Sequence, residues 1–459
     1  HYPEARRICV ACGPGNNGGD GLVIARTWHN RHGKVNVFSL SPAEAYKGDA
    51  LLNVKRLESA GVYLDHQSQL PHFREYDVIV DAIFGTGLTR PIEGQVATWI
   101  EAINASGRPV IAVDIASGID ASTGAVLGVA IRATHSVTFG LPKLGHYLQP
   151  GAENRGQLHI EEIGFPRQLL EEEGPDGNLF RRQDAARLVP DRKATAHKGT
   201  SGRILIWAGS PDYPGAATLC TRAALRAGAG LVFLVGTPRV NALALHHVPE
   251  VITLEVQSDK SEDEQVLEWL KGHKALAIGP GFGQNAARFN AVEKVLRASH
   301  RPPTLIDADA LRVVPRLEHL GPNCVITPHH GEMARLLEVE VKDIEADRLG
   351  AALRAAARWQ CTVVLKGAPS LIAEPDGRYW VNTSGHPVLA QGGTGDVLSG
   401  LITALLGQGC TPQEAALLGV YLHGRAGERV AQKSDRGILA HEIADELPAT
   451  FREVQENPR

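Results

Sequence analysis

Gly392-Gly393-Thr394-Gly395-Asp396 sets glycines, a hydroxyl and a carboxylate directly ahead of an apolar run, Leu398, Leu401, Ile402 and Leu405, with helical spacing. Glycines let backbone N–H groups approach an anion, and a helix start adds the positive end of its dipole. A phosphate would sit at this junction, with Asp396 beside it on the first turn. A carboxylate next to a phosphate is electrostatically costly unless it has chemical work, such as taking the proton of an attacking hydroxyl. The plainer reading is a glycine turn whose aspartate favours the helix start. The rest of the chain decides between them.

A second glycine cluster, Gly13-Pro14-Gly15-Asn16-Asn17-Gly18-Gly19-Asp20-Gly21, follows the apolar run Ile8 to Cys12 and precedes a helix-like pattern at Leu22, Val23, Ala25, Arg26 and Trp28. Strand, glycine loop and helix start make a phosphate cradle at the carboxyl edge of a parallel sheet. It is neither the dinucleotide fingerprint nor a P-loop, since no Gly-Lys-Ser/Thr follows. Cys9 and Cys12 form a C-x-x-C, a pattern used in redox and metal chemistry. Inside a buried apolar strand, however, cysteine is an ordinary small hydrophobe, and no second pair completes a zinc site.

These stretches need a scaffold, and composition bounds it. The 459 residues suggest two or three domains, and 43% hydrophobic content supports large cores. Charges nearly cancel, 47 Lys+Arg against 51 Asp+Glu, for a formal net charge of −4. No basic stripe points to nucleic acid, and no apolar segment is long enough to span a membrane. The opening residues are not a signal peptide, and six scattered cysteines do not make a disulfide framework, so a cytoplasmic location is expected.

Strands are expected at Val35 to Leu40, Asp77 to Asp81 and Val110 to Asp114, with a helix from Ala43 to Ala60. Each strand delivers acids and small residues at its carboxyl end, where doubly wound sheets bind ligands. Helices alternating with continuous apolar strands predict a three-layer α/β domain. Strand-end aspartates such as Asp81 and Asp114 also cap turns; two glycine loops converging on them favour a site.

GPGNNGGDG, DAIFGTGLTRP and VDIASGID, in this order, resemble the NAD(P)H-hydrate (NAD(P)HX) epimerase domain. The resemblance implies a potassium ion on Asn17, Asp81 and Ser117. It implies substrate phosphates and sugars held by Asn16, Asn17, Gly18, Gly19 and Asp20 and by Gly85, Thr86, Gly87, Leu88, Thr89, Arg90 and Pro91. Asp114, a catalytic and substrate-binding candidate, would lie beside the hydrated nicotinamide ring. Ala116 stands where the family usually has proline. The family also usually places a helical segment before the first strand, and the expectation is a domain lacking it.

Leu169-Leu170-Glu171-Glu172-Glu173-Gly174-Pro175-Asp176-Gly177 shifts abruptly to charge, proline and glycine. The expected division is a first domain over 1–168, a linker over 169–178 and a second domain over 179–459. Further buried strands are expected at Arg203 to Ala208, Leu231 to Val235, Ala275 to Ile278, Thr304 to Asp307 and Cys324 to Thr327, with Val363 to Lys366 the last strong one. KGTSGR, YPGAA, IGPG, DADAL, TPHHGE, VLKG and GGTGD resemble the ribokinase-like fold, and more closely its NAD(P)H-hydrate dehydratase branch, over Phe180 to Leu447. The expected fold class is α/β in two domains, each a three-layer sandwich: a Rossmann-like N-terminal domain and a ribokinase-like C-terminal domain.

The second resemblance implies that Asp396 takes the proton of the hydrate's hydroxyl while Gly393, Thr394 and Gly395 hold the transferring phosphoryl group. Phosphorylation turns a poor leaving group into a good one, and the ring nitrogen's lone pair drives elimination. Lys366, Gly367, Ala368, Pro369 and Ser370 would lie along the nucleotide, with ADP expected and ATP the alternative. Ala217, Gly281, His329 and Asp396 would line the NADHX/NADPHX pocket. Mg2+ is expected from phosphoryl transfer, with no acid cluster to mark its ligands. Asp307 and Asp309 shape the pocket or cap turns, and His330 is expected to face solvent. Gln413 to Ala431 reads as a packing helix or an oligomer face, and a homo-oligomer is expected. The tail from Glu453 is expected to fray. Two readings oppose the repair enzyme: a ribokinase-fold kinase of a vitamin precursor, and a non-catalytic N-terminal binding module.

Overall fold

The computed structural model describes every residue except 1, 67–69, 167, 170–176, 193, 194, 196, 200, 258 and 457–459. The chain divides into two compact units, His1–Gly174 and Pro175–Arg459. Most of the expected linker lies outside the described residues.

The first unit is built on β1 (Arg7–Cys12), β2 (Lys34–Ser39), β3 (Leu64–His66), β4 (Val78–Ala82), β5 (Val110–Val113), β6 (His135–Phe139) and β7 (Gln157–Glu161). All pair in parallel in the order β3-β2-β1-β4-β5-β6-β7, so the topology reverses between β1 and β4. Ligands bind at such a switch point, outside the carboxyl ends of the strands. The central strands β1, β4 and β5 are buried on both faces, whereas β3 and β7 at the edges are not. Ile8, Val10 and Cys12 pack with Leu22, Ala25 and Leu57, whereas Cys9 and Ala11 pack with Trp99, Ile100 and Ile103. Cys9 and Cys12, three residues apart on a strand, therefore point to opposite faces. Burial raises both thiol pKa values, which removes the redox reading.

The glycine cluster is shorter as a loop than its composition suggests. Helix Asn16–Asn30 starts at Asn16, so Asn16 to Asp20 form its first turns. The expected helix at Ala43 to Ala60 is divided into a 3-10 turn, Ala43–Ala45, and a helix, Gly48–Ser59.

The second unit holds β8 (Asn178–Phe180), β9 (Arg203–Trp207), β10 (Leu231–Gly236), β11 (Ile252–Glu255), β12 (Ala275–Ile278), β13 (Thr304–Ile306), β14 (Cys324–Ile326), β15 (Thr362–Leu365), β16 (Leu371–Ala373) and β17 (Tyr379–Asn382). Their order is β11-β10-β9-β12-β13-β14-β15-β16-β17-β8. Pairing is parallel from β11 to β15, antiparallel through β16 and β17, and parallel again to β8 at the edge. The expected last strong strand is followed by two more, β16 and β17.

Helix Thr394–Gly407 is buried from Val397 to its end and packs over β9, β12 and β13. A Cβ at Gly400 would lie 2.0 Å from the carbonyl oxygen of Cys220, so only glycine permits this approach to helix Pro214–Arg226. Helix Pro412–Ala431 is buried along most of its length, which makes it internal packing and removes the oligomer-face reading. Helix Ala440–Glu456 runs through the segment expected to fray, because Glu453 takes the guanidinium of Arg429 at 3.0 Å.

Candidate active sites

At the first switch point, β4 delivers Asp81, which is fully buried. Its carboxylate accepts the N–H of Ser117 at 2.8 Å, the hydroxyl of Ser117 at 2.6 Å and the N–H of Ile83 at 3.3 Å. Burial still pushes Asp81 up to about 6, and what opposes it is hydrogen bonding rather than a cation. The Ser117 hydroxyl accepts the N–H of Phe84 at 2.9 Å and lies 3.2 Å from that residue's carbonyl oxygen. Asn17 closes the group: a Cβ built on Gly85 would lie 3.1 Å from its Oδ1, and its buried Nδ2 has no hydrogen-bond partner. Turning that amide presents oxygen instead of nitrogen.

Three residues expected to touch substrate, Gly18, Gly19 and Leu88, also have packing roles. A Cβ on Gly18 would lie 1.8 Å from the Gly13 oxygen, and one on Gly19 would lie 3.2 Å from Ala50, so both glycines pack the helix start. Leu88 is buried among Ile83 and Ile92 and anchors its loop in the core. Asn16, Asp20, Thr86, Gly87, Thr89, Arg90 and Pro91 remain exposed, and Asn17 and Gly85 are half-buried.

Asp114 follows β5 in a left-handed conformation, φ 65°. Thr138 donates to its Oδ1 at 2.9 Å, and Lys143 forms an ion pair with the same oxygen. Asp20 faces it: burial raises the Asp20 carboxyl, and the Asp114 charge adds to the rise. Lys143 escaped the sequence reading because it stands 29 residues from its partner.

In the second unit, a cavity of about 870 Å3 is lined by Asp212, Tyr213, Pro214, Gly215, Ala216, Leu219, Gly281, Gly283, Gln284, Asp309, Gly392, Gly393 and Asp396. Gly281, with φ 67°, has no room for a side chain, since a Cβ would lie 2.7 Å from the Tyr213 oxygen. Asp309 fixes this loop by accepting the N–H of Gly283 at 2.8 Å. Gly393 precedes the helix at φ 90°, and Thr394 donates its hydroxyl to the Leu389 carbonyl at 2.9 Å. The first N–H groups of a helix have no carbonyl partner within it; that of Thr394 meets the Gln391 carbonyl at 3.5 Å, while Gly393 lines the cavity. Burial pushes Asp396 up to about 7, with Asp307 and Asp309 adding to the rise and Lys366 opposing it.

Two expected pocket residues, Ala217 and His329, are not in the lining of this cavity. Ala217 is fully buried, 3.0 Å from where a Cβ on Gly209 would sit, because helix Pro214–Arg226 turns it toward the sheet; Gly215 and Ala216 line the cavity in its place. His329 caps helix His330–Leu337, its Nδ1 accepting the N–H of Gly331 at 3.0 Å, outside that cavity's lining. His330 is half-buried rather than fully exposed to solvent. Burial and Arg348 lower its pKa, and a Cβ on Gly367 would lie 3.1 Å from its Nε2.

Lys366 pairs with Asp307 at 2.9 Å and stands 3.7 Å from Glu332. Ser399 donates to the other Asp307 oxygen at 2.6 Å. Burial raises Asp307, yet Lys366, Ser399 and Thr327 more than offset it and hold the carboxyl below its ordinary range. A Cβ on Gly395 would lie 3.7 Å from Lys366 Nζ, which puts this charge cluster directly behind the glycine turn. Asp307 is therefore an ion-pair partner, not a turn cap. Gly367 and Ala368 expose their backbone, Ser370 donates to the Gly367 carbonyl at 3.1 Å, and Arg348 supports the turn through the carbonyls of Ala368 and Pro369.

Two family models match separate parts of the chain. Residues 1–145 match a model described as YjeF-related protein N-terminus, and residues 204–449 match one described as NAD(P)H-hydrate dehydratase. A bifunctional NAD(P)H-hydrate repair enzyme of Moorella thermoacetica is 40% identical over 98% of this chain and 88% of its own length. The Escherichia coli enzyme of that name is 37% identical, over 97% and 85%. Among solved structures, the Bacillus subtilis ADP/ATP-dependent NAD(P)H-hydrate dehydratase, co-crystallised with ATP/Mg2+, matches with a TM-score of 0.54 at 34% identity, covering 61% of this chain and 99% of that one. The chain belongs to the bifunctional NAD(P)H-hydrate repair enzymes.

Proposed function

We propose that residues 1–168 interconvert the R and S epimers of NADHX and NADPHX, and that residues 179–459 dehydrate the S epimer to NAD(P)H using ADP, with ATP the alternative. The observation that carries the second activity is Asp396, a carboxylate with pKa about 7 on the rim of the cavity, at a helix start that follows a left-handed glycine. A base poised near neutrality takes the proton of the ring hydroxyl as its oxygen attacks the terminal phosphoryl group. Gly393, Thr394 and Gly395 would hold that group at the helix start, and the Gly367–Ser370 turn, exposed at Gly367 and Ala368, would accommodate the nucleotide. Phosphate then leaves with the ring nitrogen's assistance, and loss of a proton from the adjacent ring carbon restores the dihydropyridine.

In the first unit, Asn17, Asp81 and Ser117 fit a potassium ion. A buried carboxylate without a cationic partner, a hydroxyl and a partnerless amide suit an ion that prefers oxygen. The ion would neutralise Asp81 and fix the loop at Gly85. Mg2+ would travel with the nucleotide phosphates. Among the described residues no group of three or more His, Cys, Asp or Glu is placed to hold a metal ion, and no helix is long and apolar enough to cross a membrane. The six free cysteines favour a reducing cytoplasmic setting.

The test supplies both epimers of hydrated NADH with ADP or ATP and Mg2+, and follows NADH by absorbance. Complete recovery from the mixed epimers is expected. A stable phosphorylated organic product without NADH would replace this reading with a vitamin-precursor kinase.

A further inference from the structure

We infer that Lys143 is a positioning residue for the first unit's reaction, turning Asp114 so that a single carboxylate oxygen is offered to substrate. The inference rests on the reading that Asp114 faces the hydrated ring. Oδ1 of Asp114 receives Lys143 Nζ, the hydroxyl of Thr138 at 2.9 Å and the N–H of Phe139 at 3.4 Å. Among the described residues no hydrogen bond ends on Oδ2, while the side chain keeps 16% exposure. The carboxylate is thus held by one oxygen and open at the other.

The donor count of Lys143 decides its role. An ammonium has three hydrogens. They meet Asp114 Oδ1, Thr138 Oγ1 at 2.9 Å and the Phe139 carbonyl at 3.4 Å. None remains for a ligand, so Lys143 acts through Asp114.

His146 fastens the arrangement. Its Nδ1 accepts the N–H of Lys143 at 3.0 Å, so Nε2 carries the hydrogen and donates to the Asp114 carbonyl at 2.9 Å. Burial holds the ring near pKa 4, so it stays neutral and this tautomer persists. The ring ties the backbone of Lys143 to that of Asp114, where the left-handed φ of 65° is otherwise unfavourable for a residue with a Cβ. The result is a carboxylate with one oxygen open, suited to accept from a substrate hydroxyl.

The full-length chain, given pure R epimer, tests this. Lys143→Met should lower epimerisation kcat about ten- to a hundred-fold, the usual cost of losing a residue that orients a site group. KM should stay within about three-fold, and nucleotide-dependent dehydration of the S epimer in the same preparation should be unchanged. Lys143→Arg should recover most of the rate, and ethylammonium added to Lys143→Met should restore part of it. Epimerisation by Lys143→Met within about three-fold of the unaltered chain overturns the inference. So does a loss that neither arginine nor ethylammonium reverses, since that marks a merely structural role. Asp114→Asn separates the levels: if it too epimerises normally, the first-site reading itself has failed.

Discussion

Each unit sets one aspartate against a lysine and buries a second without a direct cationic partner, but the two units give these aspartates opposite jobs. In the first, Asp114 pairs with Lys143 and stays partly exposed, while Asp81 is fully buried and held by Ser117 and Ile83. In the second, Asp307 pairs with Lys366 and is 2% exposed, while Asp396, pushed up to about 7, reaches the cavity. A lysine partner keeps a carboxylate ionised, which suits an acceptor or a rigid support. Burial without one keeps the proton near neutral pH, which suits a base that must also release it. The pairing, not the residue type, assigns the role.

The largest effect should come from breaking the second unit's unpaired member. Asp396→Asn keeps the shape and removes the basicity, so dehydration kcat should fall about a hundred- to ten-thousand-fold with a modest change in KM. Epimerisation should continue at its normal rate. In the unaltered chain, dehydration should rise with pH through about 7, because the base works only after losing its proton. Retention of more than about a tenth of the rate by Asp396→Asn would return the glycine turn to plain phosphate binding.

Next in size is the lysine pair behind that turn. Lys366→Met strands Asp307 and Glu332 without their buried cation, which typically costs about 3–5 kcal/mol, read as early unfolding of the second unit. Its effect on Asp396 should be a higher pH midpoint for dehydration, since the opposing positive charge is gone. Asp307→Asn should move the midpoint the other way, to below about 7, by removing a like charge and leaving Lys366 to act on Asp396. Midpoints moving together, or not at all, would disconnect the pair from the base.

Local chemistry was legible in the sequence, and pairing across the sheet was not. Gly281 and Gly393 stand out because left-handed backbone and lack of space are demands met by one residue type. The strands were legible because β1, β9 and β12 are buried on both faces and read as continuous apolar runs. Lys143 and Lys366 were harder: they meet their aspartates across 29 and 59 residues, and only strand order brings them together. Ser399 reaches Asp307 across 92. The sequence shows Lys366 beside the turn expected to hold the nucleotide, but not its pairing with Asp307. His330 failed similarly, since its burial is made by Gly367 and Arg348 rather than by its sequence neighbours.

The smallest effect sharpens the first unit's unpaired member. If potassium supplies the charge that Asp81 lacks, binding should stabilise the first unit by about 1.4–2.7 kcal/mol at ten to a hundred times its Kd. Hydrogen exchange of β4 and β5 amides, compared in potassium and in choline buffers, reads that unit separately from the second. Asp81→Asn fills the same space with a neutral amide, which needs no counter-ion but cannot attract one. In potassium it should therefore protect these amides less than the unaltered chain does. In choline the order should vanish or reverse, because the buried charge is then the more costly group. Epimerisation should lose its dependence on potassium along with the protection. Equal protection of the unaltered chain in both buffers would show that Ser117 and Ile83 satisfy Asp81 on their own. The contrast with Asp307 would then be one between hydrogen bonds and an ion pair, with no external cation in it.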